Sequence, residues 1–134
     1  MILKFRTVPF LVLACLLAAC TSGNGNSHRG LDAVAEDYVK LVLAAGQHDE
    51  HLVDAYHGPD AWREAAERDE RGPKDLRDAA ARLRAEVRET PVPDAQMPRL
   101  RRRYLDKQLS AVITRLDMAV GTTLSFDEET RRLY

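Results

Sequence analysis

Apolar side chains recur at helical spacing along most of the chain after residue 30. Leu31, Val34, Tyr38, Leu41 or Val42, and Ala45 lie three or four residues apart, with Asp32, Glu36 and Lys40 toward water; this predicts a helix over Leu31 to Ala45, ended by Gly46. A short helix from about Asp49 to His57 should follow, using Leu52, Val53 and Tyr56 as contacts and Gly58-Pro59 as its stop. Asp60 to Arg71 offers only Trp62, Ala65 and Ala66 to a core, so Trp62 is expected to anchor it. After Gly72-Pro73, Leu76, Ala80, Leu83 and Val87 repeat at offsets 0, 4, 7 and 11 along a helix ending near Glu89. Pro91, Pro93 and Pro98 predict an extended connection from Thr90 to Pro98, with Asp94 as a cap within it. The strongest pattern is Leu105, Leu109, Val112, Leu116 and Val120, flanked by Tyr104, Ile113 and Met118, which predicts a central helix over Arg99 to Val120. Gly121 ends it, and Ser125-Phe126-Asp127-Glu128 has the form of a capping box that opens another helix. Strand alternation is absent throughout, so the expected fold is all-α, an irregular helical bundle of about five helices occupying residues 31–134.

The first 30 residues follow a different logic. Lys4 and Arg6 precede a stretch from Val8 to Ala19 that is apolar apart from Pro9 and Cys15, the charged and greasy regions of an export signal. That stretch is shorter than the roughly 20 residues a membrane-spanning helix needs, so it reads as a cleaved signal over residues 1–19. It ends in Leu17-Ala18-Ala19-Cys20, followed by a Gly-, Asn- and Ser-rich linker that makes residues 20–30 a tether. This junction resembles the lipobox of bacterial lipoproteins. The resemblance implies a diacylglycerol on the Cys20 thiol, attachment to the membrane through that N-terminal lipid, and, because Thr21 rather than Asp follows, sorting to the periplasmic face of the outer membrane. Several acyl chains hold far more firmly than one.

Loss of the signal removes two cations and takes the formal net charge from −1 to −3, which disfavours a nucleic-acid partner. With Cys15 in the signal and Cys20 consumed by the anchor, the body has no thiol for a disulfide, a nucleophile or a structural zinc site. His48, His51 and His57 gather near Asp49, Glu50 and Asp54, but successive steps of three residues rotate them off a common helical face, so neither a metal nor another cofactor is expected there. Asp49 and Glu50 read as acids at a helix N-terminus. The run Arg99, Arg101, Arg102 and Arg103 reads as a solvated face, or as one partnered by Asp78, Glu86, Glu89 and Asp127 to Glu129. No phosphate loop, nucleophile elbow, dinucleotide fingerprint or His-Glu-x-x-His is present.

Two segments carry more than periodicity. One runs from Tyr38 through Gln47-His48-Asp49 to Val53-Asp54-Ala55-Tyr56-His57-Gly58-Pro59 and Trp62; the other comprises Arg102-Arg103-Tyr104-Leu105, Gln108-Leu109, Arg115-Leu116-Asp117-Met118, Gly121 and Leu124 to Glu129. Together they resemble the N-terminal helical region of uncharacterised bacterial proteins related to the DUF885 and gluzincin-like zinc peptidases. The resemblance implies a helical peptidase scaffold whose zinc-binding half lies downstream. It assigns no catalytic or metal residue here, and gives His48, Asp54, Tyr56 and Trp62 scaffold or cleft-edge roles. Only nine residues follow Ser125, fewer than the 12–15 or so an isolated helix needs, so the expectation is a noncatalytic N-terminal portion of a peptidase-like protein. The alternative is a complete small helical lipoprotein that binds or supports another envelope protein through an exposed apolar stripe.

Overall fold

The computed structural model describes residues 29–134; the signal, Cys20 and most of the tether lie outside the described residues. The helices are α1 (Leu31–Ala45), α2 (Asp60–Glu67), α3 (Pro73–Glu89), α4 (Gln96–Ala119) and α5 (Phe126–Leu133), with a 3-10 turn at Glu50–Leu52 after α1. Among the described residues there is no strand, and the fold is the all-α bundle of five helices that the periodicity predicts.

Three helices make the core. The repeated positions of α3 and α4 face each other in the most extensive helix contact of the molecule, and α1 lies across both. Val34, Leu76, Ala80, Val87, Leu109 and Leu116 are removed completely from water. Each fully buried Val or Leu side chain stabilises the fold by about 1.5–3 kcal/mol relative to exposure. The remaining helices are peripheral: α2 packs on α1, and α5 packs on α4 without burying any residue.

Three boundaries differ from expectation. The chain does not form a helix from Asp49 to His57. It makes one 3-10 turn, capped by the Asp49 carboxylate accepting from the His51 amide at 3.0 Å, and then extends from Val53 onward. The extension lets Val53 reach the backbone at Gly46 and sets Tyr56 against Gly58; a helix this short would have to be held by tertiary contacts, and these contacts favour the extended path. Helix α2 stops at Glu67 rather than Arg71, and the Asp69 carboxylate instead accepts from the backbone and guanidinium of Arg71.

Helix α4 begins at Gln96, ahead of Pro98. Pro98 falls in the first turn, where an amide has no intrahelical acceptor to lose, so it does not block the start. Asp94 makes no cap; it pairs with Arg99. At the other end, the Ser125 capping box forms as expected, the Ser125 hydroxyl accepting from the Glu128 amide and Glu128 reaching back to the Ser125 amide.

Candidate functional site

The four residues given cleft-edge roles are spread over the loop and helix beside α1. His48 is exposed, and its Nε2–H donates to the Arg71 carbonyl at 2.9 Å, pinning the end of α1 to the turn before α3. Asp54 is exposed. Tyr56 is half-buried against the core, and its hydroxyl donates to the Pro59 carbonyl at 3.1 Å. Trp62 packs on the core from α2 with the Lys40 ammonium 4.9 Å above its ring, so it does serve as the anchor of that helix. These contacts tie loops to the bundle. They do not converge on a cleft.

Tyr56 and Gly58 form the tightest of these joints. A Cβ on Gly58 would lie 2.4 Å from the Tyr56 hydroxyl oxygen and 2.7 Å or less from two ring carbons. Gly58→Ala is therefore expected to displace the ring, break its hydrogen bond and cost about 1–2 kcal/mol. Chemical denaturation checks this. In a Tyr56→Ala background the same change should cost much less, because the ring it strikes is gone.

The least exposed ion pair among the described residues joins residues that sequence reasoning separated. Arg115 on α4 grips the Asp49 carboxylate with both Nε and a terminal nitrogen, the latter at 2.8 Å, and only 25% and 14% of the two side chains' surfaces are exposed. The Arg115 hydrogen bonds hold the Asp49 carboxyl below the usual carboxylate range, against the opposing effect of its burial. This pair fastens the 3-10 turn to the central helix. No buried side-chain nitrogen or oxygen among the described residues lacks a partner, and no group of three or more His, Cys, Asp or Glu there is arranged to hold a metal ion.

The open surfaces lie at the two ends of α4. At its start, Leu31 from α1, Pro93 from the connection, and Met97, Leu100 and Tyr104 line a groove of about 730 Å³. Met97 is 72% exposed and Tyr104 58%, although both are large and apolar. Met97, Leu100 and Tyr104 stand at offsets 0, 3 and 7, a stripe beside the buried Leu105 face. That offset pattern is present in the sequence, but the three prolines of Thr90 to Pro98 predict a connection there and hide the start of the stripe.

Next to the groove, Arg88, Arg99, Arg102 and Arg103 surround a cleft of about 400 Å³ whose single acid is Asp106. Burial works against the Asp106 carboxylate, but hydrogen bonds from Arg88 and Arg84 outweigh it and hold its pKa below the usual range. The acids expected to partner the arginine run do not. Arg99 pairs with Asp94, Arg101 pairs with Asp32, and Arg102 donates to the Thr90 carbonyl at 3.4 Å. Glu86 and Asp78 are taken by Arg29 and by Lys74 and Arg77. Fold geometry explains the difference, since helix α4 lies antiparallel to α3 and brings its first turns to the α1 N-terminus.

At the far end of α4, Val120 is 53% exposed and Phe126 82%. The helix between the two surfaces has 24 residues, so they stand roughly 35 Å apart.

No protein-family model, curated protein or solved structure matches the chain.

Proposed function

We propose that the protein is a lipid-tethered helical binding module, held at the membrane through Cys20, that contacts another envelope protein with the apolar surface at the α4–α5 end. The observation that carries this reading is Phe126. It begins a capped helix and is 82% exposed, beyond the end of α4 that carries the exposed Val120. An ordered helix that presents its largest apolar side chain to water has the form of a binding surface rather than of a core element. No helix among the described residues is long and apolar enough to cross a membrane; the attachment in this reading is the lipid on Cys20.

A photo-crosslinking residue at position 126 in living cells should yield one adduct of defined mass, and the same residue at the exposed Glu64 on α2 should not. Phe126→Ala should weaken that association roughly 30-fold if Phe126 is a hot spot, while changing stability by less than about 0.5 kcal/mol. Equal labelling from both positions, or none from 126, overturns the binding surface. Cys20→Ala should move the chain out of the membrane fraction, and persistence there overturns the anchor.

A second reading draws on the same helix. Because α5 buries no residue, further helices of a larger peptidase-like protein would also cover Phe126. The reading frame beyond the Tyr134 codon decides between them: a downstream His-Glu-x-x-His supports the larger protein, and an unrelated gene removes that reading.

A further inference from the structure

Two independent features meet where α1 and α4 begin. One is the apolar groove of Leu31, Pro93, Met97, Leu100 and Tyr104; the other is the adjoining arginine cleft. They share α4. Met97, Leu100 and Tyr104 form one stripe on its first turns, and Arg99, Arg103 and Lys107, at offsets 0, 4 and 8, form the next. An apolar stripe ending in tyrosine and bordered by a basic stripe is the composition of a surface that lies in a bilayer interface.

The charge balance fits the same occupant. Arg84, Arg88, Arg99, Arg102 and Arg103 meet at this end with Asp106 and Asp94 as the acids paired to them. Guanidinium groups bind phosphate through paired N–H donors, and several around one cleft suit a phosphate headgroup better than an apolar peptide. Gly30 and Leu31, directly after the first described residue Arg29, themselves line the groove. The ten residues from Cys20 to Arg29 span at most about 35 Å even when fully extended.

We propose that this end of the bundle docks on an anionic phospholipid surface, with Met97, Leu100 and Tyr104 entering the interface and the arginine cleft holding headgroup phosphate. The docking rests on the anchoring reading only for proximity: a short tether raises the local concentration of lipid, so that a weak surface contact becomes well populated. Docked in this way, α4 holds Val120 and Phe126 away from the membrane.

The test uses the acylated chain in vesicles. Acylated Cys20 has no free thiol and no other cysteine follows it, so Met97→Cys gives a single attachment point for a polarity-sensitive fluorophore, and Phe126→Cys gives the distal control. On vesicles of equal parts phosphatidylglycerol and phosphatidylcholine, the label at 97 should shift to the blue and be shielded from iodide. The label at 126 should stay open to iodide. On phosphatidylcholine alone, shielding at 97 should fall. Arg99→Gln with Arg103→Gln should lower the docked-to-undocked ratio roughly 30-fold, which corresponds to about 1 kcal/mol for each arginine near the surface. Unchanged far-ultraviolet circular dichroism will show that these exposed substitutions leave the fold intact.

A label at 97 that remains exposed on both vesicle types, while intact mass shows acylated Cys20, overturns the docking and leaves the anchor standing. Shielding of position 97 on the mixed vesicles in a Cys20→Ser chain supports the docking independently of the anchor. Shielding at 97 that appears without vesicles, and is relieved by dilution, assigns the groove to a protein contact and overturns the proposal. Binding of free inorganic phosphate with no shielding on vesicles does the same.

Discussion

Leu109→Ala should lower stability by about 3 kcal/mol, and the melting temperature by roughly 15 °C, in the exported chain carrying Cys20→Ser. Leu109 sits in the middle of α4, has no exposed surface, and belongs to the cluster where α4 meets α1 and α3. Truncation removes methylene groups from water-free surroundings and leaves a cavity that three packed helices cannot easily close. Domains of this size commonly have 5–15 kcal/mol in total, so such a loss removes much of the margin. Leu100, on the same helix and 41% exposed, is the control, and its change to alanine should cost less than about 1 kcal/mol. Thermal melts followed by circular dichroism measure both. Equal effects at 100 and 109 would mean that α4 is not the packed centre of the bundle.

Arg115→Ala should cost about 2 kcal/mol and flatten the acid limb of the stability profile. The guanidinium supplies the largest influence lowering the Asp49 pKa, so its loss leaves a carboxylate of which only 14% of the side chain is exposed without its partner. In the parent, Asp49 has a lower pKa folded than unfolded. The unfolded chain therefore binds more protons in acid, and the stabilisation is present above the unfolded value of about 4 and lost as pH falls through the folded one. Asp69, held down chiefly by Arg71, and Asp106, held down by Arg88 and Arg84 despite its burial, act in the same direction. Urea titrations from neutral to strongly acid pH should show the parent and Arg115→Ala curves converging at the acid end. Parallel curves would show that the pair contributes nothing to the pH dependence.

Helices α1, α3 and most of α4 were legible because each carries an apolar stripe long enough to fix its face without help from the rest of the chain. Leu76, Ala80, Leu83 and Val87 are buried as their spacing requires, and so are Leu105, Leu109, Val112 and Leu116. The capping box at Ser125 was equally plain, since its partners lie three residues apart. The segment from Asp49 to His57 was not legible. Its few apolar residues satisfy a helix or an extended path alike, and the choice depends on Gly46 and on Arg115, which is 66 residues away from Asp49.

The candidate surfaces divide in the same way. Met97, Leu100 and Tyr104 were visible as apolar residues, but whether they face a core or water depends on which helix lies opposite. The sequence by itself determined the helical class, the inward faces of the three long helices, the breaks at Gly72-Pro73 and Gly121, and the cap at Ser125, because these follow from contacts within a few residues. Only the tertiary structure decided that Asp49 belongs to Arg115, that the arginines of α4 cluster beside an apolar groove, and that Phe126 stands open at the other end. Those facts depend on distances between elements remote in the chain, and local spacing carries no information about them.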